Sequence, residues 1–144
     1  MTYTFLVYTT FLIYLFFGIY VYKLNKRSII NQSFLVSCLN LSTWALGYAL
    51  MNSAENREAA FFGLVVSALG YCFFFSSQLY FSLMLTTQGE IFRKKWFRAA
   101  IYLPSALFFY NYTKYPTSGF VKMKFGWVYL YPLHSGWEIA FNFY

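Results

Sequence analysis

The sequence predicts an all-α, membrane-embedded helical bundle of four complete helices plus the start of a fifth. Three observations carry that expectation. Four apolar stretches alternate with short charged joints. Only 10% of residues are charged against 60% apolar, whereas a soluble domain averages about 25% charged. So few charges could not cover so large an apolar content in water. The formal net charge is +7, and the basic residues sit at the edges of the apolar stretches. That placement fits membrane topology and argues against nucleic acid as a partner.

The first stretch, residues 3–22, holds no ionisable group but tyrosine and stops at Lys23, Lys26 and Arg27. Twenty residues rising ~1.5 Å each make ~30 Å, the hydrocarbon thickness of a bilayer. No basic leader or small-residue cleavage pattern surrounds it, so it is read as a retained helix. The second stretch, residues 30–51, contains Ser37, Asn40, Ser42 and Trp44. A polar joint with Glu55, Arg57 and Glu58 follows. The third, residues 59–87, is longer than one crossing needs, which predicts tilt or an interfacial first turn. A basic joint with Arg93, Lys94, Lys95 and Arg98 leads into the fourth, residues 97–112, which Pro104 is expected to kink.

A connector rich in Pro and Gly then runs to residue 133, where Gly126-Trp127-Val128-Tyr129 reads as a short strand or an interfacial segment. Residues 134–144 turn apolar again and are too few to cross. An open helix end in lipid would strand its carbonyls. We therefore expect residues 1–144 to be one membrane-embedded region cut from a longer chain. Placing Lys23, Lys26, Arg27, Arg93, Lys94, Lys95 and Arg98 on the cytoplasmic side puts the N-terminus and the long connector outside.

Asn31, Phe34, Asn40, Trp44, Gly47 and Tyr48, then Ala54 and Ala59-Ala60-Phe61-Phe62, then Gly70 and Phe74, form a recurring order. Pro116-Thr117-Ser118-Gly119, Gly126-Trp127-Val128-Tyr129 and Pro132 continue it. That order resembles the N-terminal seven-transmembrane sensor region of bacterial histidine kinases and diguanylate cyclases, over its first four to five helices. The resemblance implies a bacterial inner-membrane location, an outside N-terminus and a cytoplasmic output domain beyond these residues. Neither a phosphoacceptor histidine region nor an ATP-binding region is among them.

Four groups of residues are candidates for function. Ser37, Asn40 and Trp44, continued by Gly47 and Met51, share one helical face. They suit either a ligand or coupling cavity or hydrogen-bonded helix packing. Gly63, Ser67 and Gly70 form a small-residue stripe for close helix approach, within the bundle or in a homodimer. His134 and Glu138 stand at i, i+4 beside Trp137. They suit a cationic ligand or a response to external pH, or else a helix start favoured by the dipole. The basic joint, interleaved with Phe92, Trp96 and Phe97, suits anionic headgroups or docking of an output domain, as well as plain topology.

Chemistry is sparse. The spans hold no lysine for a Schiff base, and no nucleophile–base pair, phosphate-binding glycine loop or paired carboxylate stands out. Cys38 and Cys72 read as small apolar fillers, and one histidine is too few for a metal cage. We expect no catalysis, cofactor or metal here. The function expected is sensory input to a cytoplasmic kinase or cyclase. The alternatives are a transporter fragment or a small accessory membrane subunit.

Overall fold

Polar residues in the joints start the helices. The computed structural model describes residues 2–86, 94–114, 119–124 and 126–130. Helix α1 spans Thr2–Leu24, α2 Ile29–Ser53, α3 Arg57–Thr86 and α4 Lys95–Tyr112. Strands β1 (Phe120–Met123) and β2 (Gly126–Tyr129) follow. Between α1 and α2, Asn25 Oδ1 accepts the Arg27 amide at 3.1 Å. Ser28 then caps α2, its Oγ accepting the Asn31 amide at 3.4 Å from an extended backbone. Asn56 serves α3 in the same way, accepting the Ala59 amide at 2.8 Å. Each cap satisfies an amide that the helix itself cannot.

Helices α1, α2 and α3 are long and apolar enough to cross a membrane. Their cross-links fix an antiparallel order. Asn31 Nδ2 in α2 donates to Val21 O in α1, and Ser42 Oγ donates to Phe11 O. Asn40 Nδ2 donates to Phe73 O and to Ser77 Oγ in α3. Ser105 Oγ in α4 donates to Cys72 O at 2.6 Å, while Ser76 Oγ donates to Ile101 O at 2.6 Å. Higher numbers on one helix meet lower numbers on the next, so the four helices run up, down, up, down. Polar side chains within the helices thus take neighbouring carbonyls as partners, the solution required where water is absent.

The second half departs from expectation at one point, where its helix starts. The fourth helix is complete but only 18 residues long. Lys95 and Arg98 at its start and Asn111 at its end leave it less apolar than the other three. It begins at Lys95, two residues ahead of the expected start, so Lys95 joins Arg98 in its first turn. A helix can extend past the depth at which charge is tolerated, so charge marks the membrane edge and not the helix end. The expected start of a fifth helix at 134–144 lies outside the described residues.

The connector forms an antiparallel hairpin, pairing Phe120 with Tyr129, Val121 with Val128, Lys122 with Trp127 and Met123 with Gly126. Gly126 has φ +136°, a conformation that side chains resist, and a Cβ there would lie 2.5 Å from Asn52 Oδ1. The hairpin therefore lies flush on the α2–α3 turn. Trp127 Nε1 donates to Ala54 O at 2.8 Å. Phe120, Trp127 and Tyr129 complete a core with Met51, Ala60 and Leu64 at that end.

Candidate functional site

The seam between α2 and α3 is built on missing side chains. A Cβ added at Gly63 would lie 2.5 Å from the Met51 amide nitrogen and 2.9 Å from Gly47 O. One at Gly47 would strike the Ser67 backbone, and one at Gly70 the Trp44 amide and Asn40 O. Residues 51 and 63, 47 and 67, and 44 and 70 are therefore opposed in one register. The stripe Gly63, Ser67, Gly70 faces the stripe Asn40, Trp44, Gly47, Met51 within the same chain. Ser67 Oγ turns back to Leu64 O at 2.9 Å. Ser37, further along the α2 stripe, is buried, and its Oγ has no hydrogen-bond partner among the described residues.

Asn40 is committed to α3. Its amide spans 3.2 Å to Phe73 O and 2.8 Å to Ser77 Oγ. Trp44 behaves differently. Its backbone belongs to the seam, while its half-buried indole lies 5.1 Å from the Tyr71 ring and 6.3 Å from the Tyr48 ring.

Trp44 and Tyr48 together wall two crevices. One, of about 360 Å³, opens between α1 and α2 beside Tyr3, Val7 and Tyr14. The other, of about 300 Å³, is bounded by Leu64, Ser67, Tyr71 and Tyr112. Both are lined by aromatic and small side chains and contain no charged group. They can hold an apolar or aromatic molecule. Within the described residues, Lys23, Arg57, Glu58, Lys95 and Arg98 are the charged side chains of the helices, and each lies in a first or last turn.

Of the remaining sequence candidates, Lys23, Lys26, Arg27, Lys94, Lys95 and Arg98 gather at one end, where α1 and α3 finish and α2 and α4 begin. Arg93, His134 and Glu138 lie outside the described residues. Sequence reasoning missed Tyr48 and Tyr71 as companions of Trp44, although Tyr48 stands one turn from it. It also missed the paired hydroxyls of Ser76 and Ser105, 2.7 Å apart and both buried. Two serines on separate helices carry no sequence signal that they meet.

Compared with protein-family models, curated proteins and solved structures, the chain has no match.

Proposed function

We propose that this chain is the membrane-embedded sensory input region of a bacterial signal-transduction protein. It sits in the inner membrane as a multi-pass bundle, N-terminus outside, and passes a stimulus to a cytoplasmic kinase or cyclase domain. One observation carries the reading. Trp44 and Tyr48 belong at once to the α2–α3 seam and to two aromatic crevices on either side of α2. A small apolar molecule filling either crevice would lie against the indole of the residue whose backbone meets Gly70. Such a site biases two packings of one bundle.

The charge pattern supports the orientation, with Lys23, Lys26, Arg27, Lys94, Lys95 and Arg98 at the end assigned to the cytoplasm. The near absence of ionisable groups within the helices weighs against ion-coupled transport. Translation of the gene beyond Tyr144 tests the proposal. A kinase or cyclase domain joined on the cytoplasmic side sustains it. A stop codon within a few residues, or a transporter-like second half, overturns it.

A further inference from the structure

We infer that the groove among α2, α3 and α4 at the cation-rich end binds the phosphate of an anionic phospholipid headgroup. The groove encloses about 370 Å³. Gln32 and Ser33 of α2, Tyr80 of α3, and Arg98 and Tyr102 of α4 supply its polar lining. Arg98 is its one charged residue, and Tyr102 follows one turn later on the same face of α4. Among the described residues the acids are Glu55 and Glu58, at the α2–α3 turn on the opposite end. Among the described residues, none of the groove's lining is a carboxylate. A planar fork of donors matches two phosphate oxygens in a way that a lysine does not.

Backbone placement adds to this. Both α2 and α4 begin at this end, so the positive ends of two helix dipoles converge on it. The N-cap of α4, Lys94, makes no side-chain capping bond, so the first-turn amides of α4 lack that partner.

A lipid, not a free anion, is the occupant because one wall is apolar and leads outward. Val36 lines the groove and is 40% exposed, and Leu39, one turn on, is exposed to the same degree. That path suits an acyl chain descending along α2 from a headgroup held at Arg98. Lys23, Lys26, Arg27, Lys94 and Lys95 stand outside the groove at the same end and raise the local concentration of anionic lipid. None of this depends on the sensory reading of the Trp44 crevices.

The test uses the full chain in phosphatidylcholine vesicles carrying spin-labelled phosphatidylglycerol or spin-labelled phosphatidylcholine, with relative association read by electron paramagnetic resonance. The wild type is expected to prefer the phosphatidylglycerol probe. Arg98→Gln is expected to lower that preference about tenfold, the loss of a charge-assisted pair. Val36→Trp, which fills the groove without changing charge at an exposed position, is expected to do the same and serves if Arg98→Gln fails to fold. Lys95→Gln, exposed and outside the groove, is expected to change it by less than about twofold. Equal losses in Lys95→Gln and Arg98→Gln overturn the site in favour of general surface charge. Wild-type preference in Val36→Trp overturns the groove as its location. Displacement of the probe by inorganic phosphate as readily as by unlabelled phosphatidylglycerol overturns the lipid as occupant.

Discussion

The seams on either side of α3 differ in what brings the backbones together. Toward α2, Gly47, Gly63 and Gly70 let one backbone touch the other, and Asn40 adds its bonds to Phe73 O and Ser77 Oγ. Toward α4, contact is made by groups that reach. Ser76 and Ser105 share a 2.7 Å contact and donate to opposing carbonyls. Phe73 meets Tyr102 and Phe109 at ring separations of 6.3 and 6.2 Å. The first seam has one register, because any slip drives a side chain into a gap shaped for a hydrogen atom. The second is held by a few directed bonds and by rings, which tolerate small rotations. The α2–α3 seam therefore fixes register by steric fit, whereas the α3–α4 seam fixes it by directed bonds and rings.

Substitutions separate the two mechanisms. The largest effect is expected at the steric seam. Gly63→Leu should cost about 3 kcal/mol in a detergent-unfolding titration, since overpacking there has backbone on the far side. A loss below about 0.5 kcal/mol would show that the helices can part freely and would remove the contrast. Asn40→Ala should cost about 1–2 kcal/mol by the same titration, leaving Ser77 and the Phe73 carbonyl short of a donor. Ser105→Ala should cost about 1 kcal/mol. If its effect adds independently to that of Ser76→Ala, the two hydroxyls do not act as a unit and each holds the seam only through its own carbonyl. The smallest effect is expected outside both seams. Trp127→Phe removes the bond to Ala54 O and should cost slightly under 1 kcal/mol. Faster amide exchange confined to the α2–α3 turn is its expected signature.

What could be read ahead of the structure followed the range of each interaction. The all-α class rests on composition and span length, which need no partner, and the helices at 2–24, 29–53 and 57–86 lie within two residues of their expected bounds. The Gly63, Ser67, Gly70 stripe is visible because helical spacing alone puts those residues on one face. Its partners Met51, Gly47 and Trp44 are not, since opposition depends on the register of two chain segments. Helix α4 likewise starts two residues ahead of its expected bound. Lys95 and Arg98 signal water, and water does not end a helix. The hairpin had half a signal: the strand tendency of Gly126–Tyr129 is local, but its pairing with Phe120–Met123 and its seat on Asn52 and Ala54 are not. Trp44 stood out as a large polar-edged residue among small ones, whereas the crevices on both sides of it depend on Tyr3, Tyr71 and Tyr112, brought in from three other helices.

The indole of Trp127 reaches a carbonyl 73 positions earlier in the chain. That separation sets an order of biosynthesis. The α2–α3 pair is fully translated while the ribosome has yet to make the ribbon that seals its turn. The cap is therefore the last of these parts to be made, and a chain ending ahead of Phe120 would leave the α2–α3 turn uncovered.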